Sequence, residues 1–182
     1  MRMMRFHYTY IALTLLCVSS ATLAAEPVVV ASKTSSAAEQ TYSDWSGKAQ
    51  EVLMNALSLT GIKYKYGGVS PETGFDCSGF VRYVFQQAAD LTLPHGARAI
   101  SQLGQAVTIN QLQPGDLVFF NTLKSAFSHV GIYLGNNRFI HAASQGGGIQ
   151  VVNLDDEYWT KRFNGGRRLD TNELSVAEKP KE

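Results

Sequence analysis

The chain has two cysteines among 182 residues, too few for the disulfide framework that holds small secreted scaffolds together. Charge is thin as well. The 16 Lys and Arg nearly balance the 15 Asp and Glu. With no basic block among them, a nucleic-acid partner is not expected. Long apolar runs are missing: none approaches the roughly 20 residues that a membrane-spanning helix needs. No internal repeat and no second module is visible, and the length suits one domain around one core.

The first apolar stretch, from about Tyr8 to Val18, follows Arg2 and Arg5 and leads into the small residues of "SSATLAAEP". A basic head, a short greasy middle and a small-residue exit read as a secretory signal peptide over residues 1–25, cleaved after Ala24 or Ala25. The expectation is an exported protein with no stable membrane insertion once the signal is removed. Cys17 follows Leu16, where lipid-attachment signals carry a small residue, so no lipid anchor is expected. Without Arg2 and Arg5 the remaining chain carries 14 basic and 15 acidic residues. Cys77 is then a lone thiol in a compartment where paired cysteines oxidise. Such a residue is a reactive thiol, half of an intermolecular bridge, or a small buried hydrophobe.

Residues 26–45, rich in Ala, Ser, Thr, Glu and Gln, show no hydrophobic period and read as a flexible leader. A domain is expected over residues 46–170, followed by a charged tail at 171–182. Its first helix places Ala49, Val52, Leu53, Ala56 and Leu57 on one face and stops at Gly61. "IKYKYGGVSPETG" follows as a loop. A second helix begins at Cys77 and spaces Phe80, Val81, Val84, Phe85 and Ala88 for burial. Four short β-branched or aromatic runs come next, at 116–120, 129–135, 138–143 and 149–154. Helices first and strands afterwards predict an α+β domain with an antiparallel sheet. Tyr158 and Trp159 read as packing the last segment onto that sheet, Arg162, Arg167 and Arg168 as solvated, and Asp116 as shaping a turn.

Within this frame, "FDCSGFV" carries the chemistry. Asp76 stands where a helix N-cap would, and Cys77 is the first residue inside. Free N–H groups and the positive end of the helix dipole favour thiolate over thiol there. The same N–H groups can hold the oxyanion formed when a carbonyl is attacked. Gly79 lets a backbone or a substrate come close. A base is still needed, and "HVGIYLGNNRFIHA" offers His129 and His141. Across a hairpin the two share a face if the loop is Gly135–Asn136–Asn137 or if a bulge intervenes. With Asn136–Asn137 alone as the loop they point to opposite faces. Taken singly, a strand histidine is more often a satisfied core residue than a catalytic one. His95, in "LPHGAR", reads as a rim residue, and His7 belongs to the signal.

"IKYKYGG…GFDCSGFV", "LPHGARAISQ", "LQPGDLVFF", "HVGIYLGNNRFIHA" and "YWTKRF" together resemble the NlpC-type cell-wall peptidases, over residues 49–169. The resemblance implies a papain-like cysteine endopeptidase that cuts peptidoglycan stem peptides in the periplasm or cell wall, as a monomer and without a cofactor or metal. It puts the nucleophile on Cys77, the base on His129 and the orienting residue on His141. It also puts a hydroxyl near the thiol on Tyr64, and a pocket for the substrate's amino group on Asp76 and Ser78. His95 departs from the family, whose close members often carry arginine after "LP". The bond implied is the D-alanine–meso-diaminopimelate crosslink, with the D-glutamate–diaminopimelate bond within one stem as the alternative. Three other readings stand beside it: a zinc hydrolase using Cys77, His129 and His141, a wall-binding module without catalysis, and a transferase or amidase on another acyl group. With His141 in the orienting place, activity is expected to fall at acidic pH as that ring charges.

Overall fold

The computed structural model describes residues 47–122, 125–145 and 147–169. The expected signal peptide, leader and tail lie outside the described residues. Helix α1 covers residues 47–58 and buries Ala49, Val52 and Ala56. Leu57, expected inside, is 44% exposed, and Leu59 in the following turn takes its place in the core. The chain then turns at Gly61, whose φ of +87° suits glycine and whose N–H donates to the Ile149 carbonyl.

A small hairpin, β1 (Val69–Ser70) and β2 (Gly74–Phe75), leads into α2 (Cys77–Ala89). Asp76 caps α2 by accepting from the Gly79 N–H at 2.7 Å. The apolar stripe read from the sequence is the buried face: Phe80, Val81, Val84 and Phe85 have no exposure. After α3 (Ala97–Ile100) come β3 (Gln105–Val107), a 3₁₀ turn (Ile109–Gln111) and β4 (Leu117–Phe120). Strands β5 (His129–Gly135), β6 (Arg138–Ala142) and β7 (Ile149–Asn153) follow, then α4 (Glu157–Thr160) and β8 (Phe163–Arg168). The sheet runs β3-β8-β4-β5-β6-β7, antiparallel throughout.

This is the α+β arrangement that the sequence predicts, with β3 and β8 in addition. Neither shows the alternation that marks a strand, because "QAV" is short and "FNGGRR" puts two glycines in its middle. An ion pair holds β8 beside β4. Arg168 donates from Nε to Asp116 Oδ1 at 2.9 Å and from Nη2 to Oδ2 at 2.8 Å, and Asp116 is only 1% exposed. Arg168 is thus a bidentate partner rather than a solvated charge. Arg167 Nε likewise donates to the Ser101 carbonyl at 2.6 Å.

The sheet buries both faces. Leu117, Phe119, Val130, Ile132, Ile140 and Ala142 pack with α1 and α2. Val118, Phe120, Tyr133, Phe139 and Leu154 form a second, aromatic layer that meets Trp159 and Phe163. The Gly68 carbonyl packs directly against α2 at Gly79. A Cβ at Gly79 would stand 2.0 Å from that oxygen. Gly79→Ala is therefore expected to cost about 1–3 kcal/mol of stability as an overpacking change, measured by urea unfolding. Unchanged stability would show that the loop at Gly68 yields freely.

Candidate functional site

The β5–β6 hairpin turns on Asn136 and Asn137, whose φ values are 51° and 54°. Two central residues with positive φ are the signature of a two-residue type I′ turn, and asparagine tolerates it. Gly135 pairs with Arg138 across the turn. A tip of this length, continued regularly, would send the two histidines to opposite faces. The ladder instead shifts register between Tyr133 and Gly135, leaving Leu134 as an extra residue. Below that bulge Ile132 pairs with Ile140 and Tyr133 with Phe139. His129 lies an odd number of residues from Ile132, as His141 does from Ile140, so both rings emerge on the aromatic face.

There they meet directly: His129 Nε2 and His141 Nδ1 are 2.8 Å apart, with the ring planes at 84°. His129 is 9% exposed and His141 2%. Trp159 lies nearly parallel to His129, 25° between planes and 5.8 Å between centroids, and presents an edge to His141 at 4.9 Å. Phe120 and Phe139 close the cluster from the strands. Burial disfavours the charged imidazolium. It pulls His129 from 6.5 down to about 4. His141 falls to about 3, through burial first and then the neighbouring His129. At neutral pH both rings are neutral. The far nitrogen of His141, Nε2, is buried with no hydrogen-bond partner.

Cys77 approaches from the other face. As the first residue of α2 it packs against the helix-side core, at the start of β5. The backbone N–H groups of Val130, the residue after His129, of Ser78 and of Cys77 itself act on the sulfur to favour its anion. Cys77 remains partly exposed rather than sealed under side chains. Its protonation departs from the sequence expectation. Burial, and then the carboxylate of Asp76 beside it, push the thiol up to about 11 against the pull of the three N–H groups. The resting group is a thiol, because desolvation outweighs the helix N-terminus.

The other expected site residues divide. Tyr64 is near enough for Cys77 and Asp76 to raise its phenol, although burial is the larger cause. Asp76 is fully engaged by its own surroundings: Oδ1 accepts from the Gly79 N–H and from Ser78 Oγ at 3.0 Å, and Oδ2 from the Gly67 N–H at 3.0 Å. Both Asp76 and Ser78 thus flank Cys77 in a cap. His95 stands apart from the histidine pair. It is exposed, and Arg82 Nη1 donates to its Nδ1 at 3.0 Å while Arg82 Nε donates to the Leu93 carbonyl. Both line a cavity of about 320 Å³ along α2. Trp159, read from the sequence only as packing, is the residue whose contact with both imidazoles the sequence did not disclose. Nothing in "DDEYWT" marks it except an aromatic pair after a capping aspartate. Among the described residues no group of three or more His, Cys, Asp or Glu is placed to hold a metal ion, and the direct bond between the imidazoles uses the two nitrogens that face each other.

The model of the NlpC/P60 family matches residues 61–168. Murein DD-endopeptidase MepH of Escherichia coli (strain K12) is 41% identical over 128 residues, 68% of this chain and 47% of that protein. Gamma-DL-glutamyl hydrolase of Bacillus subtilis (strain 168) is 42% identical over 120 residues, 65% of this chain and 29% of the relative. The chain thus spans less than half the length of these two relatives. A crystal structure of an NlpC/P60 family protein from Bacillus cereus ATCC 10987 superposes with a TM-score of 0.63 at 29% identity, covering 67% of this chain and 40% of that one. The family match runs through Cys77, His129, His141 and every strand from β3 to β8: the chain belongs to the NlpC/P60 family.

Proposed function

We propose that the protein is a cysteine endopeptidase that hydrolyses stem-peptide bonds of peptidoglycan. The observation that carries this reading is the direct hydrogen bond between His129 and His141, together with a partly exposed Cys77 at the first position of α2 whose sulfur feels the N–H of the residue following His129. His141 takes up Nε2 of His129, which leaves Nδ1 of His129 as the nitrogen that can take the thiol's proton. A lone cysteine and a base oriented by a third group are the parts of nucleophilic acyl transfer.

The resting pair is neutral, so attack and proton transfer are coupled. As Sγ bonds to the carbonyl carbon, its proton passes to Nδ1 of His129. The negative oxygen is held by the Cys77 N–H and the Tyr64 hydroxyl. His129 returns the proton to the leaving amine as the C–N bond breaks. It then takes a proton from the water that hydrolyses the thioester, and the thiol is restored. His141 accepts from Nε2–H of His129 and so fixes the tautomer that the base needs. Export on a signal peptide at residues 1–25 and action as a monomer in the periplasm or cell wall belong to the same proposal.

For the bond, the D-alanine–meso-diaminopimelate crosslink is favoured by the likeness to a murein DD-endopeptidase. The D-glutamate–diaminopimelate bond is the second reading, favoured by the likeness to a gamma-DL-glutamyl hydrolase. Digestion of purified sacculi with mass spectrometry of the released muropeptides distinguishes them. Loss of crosslinked dimers supports the first, and shortened stems the second. No soluble product at all would overturn the enzyme reading in favour of a wall-binding module.

Cys77→Ala is expected to lower kcat/KM on the order of 10⁴-fold or more, and His129→Ala about 10²- to 10⁴-fold. His141→Asn, which keeps an amide partner for His129, should retain more activity than His141→Ala. Activity that survives a chelator and dies with a thiol alkylator separates this chemistry from a zinc site. The pH profile is set by burial. With His129 held down to about 4, the base stays unprotonated from neutrality downward and is lost only as pH falls through that value. In place of the fall between about pH 8 and pH 5 that the sequence predicts, kcat/KM should be flat over that range and fall only below about pH 5. A limb near 6.5 would show a base that is not desolvated.

A further inference from the structure

The buried Nε2 of His141 has no partner, and this follows from the tautomer the site requires. If His129 donates from Nε2 to Nδ1 of His141, then the proton of neutral His141 sits on its own Nε2. That N–H lies on a residue only 2% exposed, and a buried donor left unmade costs about 1–3 kcal/mol. The two nitrogens of an imidazole flank Cε1 and point well apart, so with Nδ1 of His141 held by His129 on β5, Nε2 is directed away from β5. The residue in register with His141 on β7 is Gln150, whose side chain stands on the same face of the sheet.

Both residues line one cavity of about 250 Å³, together with Thr122, Ser144, Gln145 and Tyr158, and with Trp159 at its wall. The space is polar and far larger than one water needs. Buried polar groups in such places are completed by water or by a neighbouring amide. The charged and titratable groups facing the pair are few. Tyr158 lines the cavity from α4, with Arg162 over its ring at 3.9 Å. Cys77 and Asp76 lie at the N-terminus of α2, and among the described residues no carboxylate lines the cavity.

We propose that Gln150 is a positioning residue for the histidine pair: with its side chain turned toward the ring across this cavity, its oxygen accepts the Nε2–H of His141 and holds the tautomer that receives His129. A glutamine suits the place because its oxygen accepts while its own amide group donates to other lining groups, and it adds no charge that would favour an imidazolium. Gln150 touches neither the thiol nor the reacting carbonyl. It acts through His141, and the inference rests on the catalytic roles given above.

Three readouts test it. In Gln150→Leu, kcat should fall about 3- to 10-fold, the worth of one neutral hydrogen bond, with KM within twofold. In Gln150→Glu, which keeps an acceptor, kcat should stay near that of the parent. Its carboxylate would favour protonation of the pair, so the acidic limb of kcat/KM should move to higher pH. Nitrogen-15 spectra of the imidazoles should show the proton of His141 on Nε2 in the parent, with that signal shifted or broadened in Gln150→Leu. Thermal melting of each variant accounts for any loss of fold, and the parent spectrum alone needs no variant. Parent spectra with the proton on Nδ1 of His141 would overturn the proposal. So would folded variants whose kcat and acidic limb both match the parent. If the protein cut no stem peptide at all, the proposed activity would fall while the spectra still decided the place of Gln150.

Discussion

The hydrogen bond between two neutral imidazoles on adjacent strands is the constraint around which the rest of the site is arranged. Among the described residues neither histidine has a carboxylate partner. Each is affordable inside only because it stays uncharged and because one nitrogen of each satisfies the other. Trp159, Phe120 and Phe139 pack against the rings and so limit their contact with water, which both strengthens the bond and suppresses the charged forms. The same dryness decides the protonation of the base and its freedom from acid titration near neutrality.

The thiol is governed by a balance of the same kind. Three backbone N–H groups favour its anion, as a helix start should. Burial and the capping carboxylate of Asp76 oppose them and prevail. Asp76 is not free to leave, because its two oxygens tie the Gly67 N–H, the Ser78 hydroxyl and the Gly79 N–H into one knot. Gly79 and the carbonyl of Gly68 complete that knot by direct contact. The position of the sulfur is thus set by the loop at Gly67 and Gly68 and by the helix together.

Much of this was readable beforehand, and the unreadable parts have definite causes. The stripe Phe80–Val81–Val84–Phe85 and the four β-rich runs were plain because burial on one face imposes a period. Cys77, His129 and His141 stood out because few other residues of their kind exist in the chain. The bulge at Leu134 was foreseen only as one of two ways to bring the histidines to one face, and the tip is the shorter of the loops considered. Strand β8 was hidden because its glycines erase the pattern and its pairing partners lie far off in sequence. Leu57 lies outside and Leu59 inside because the helix ends in a turn that rotates the last apolar side chain inward. Trp159 and Gln150 were invisible as neighbours of the imidazoles, since no spacing rule links α4 or β7 to a ring on β6.

The position of β8 has a consequence for how the molecule comes together. The strands that carry the two imidazoles are joined by short local connections and can pair as soon as they exist. Strand β3 touches the sheet only through β8, the last of the described strands in chain order. Until β8 inserts, β4 is a bare hydrophobic edge, and the carboxylate of Asp116 waits for a guanidinium 52 residues downstream. Closure of the sheet is therefore a late, long-range event. A chain interrupted before Phe163 keeps both histidines but leaves an unpaired edge open to aggregation.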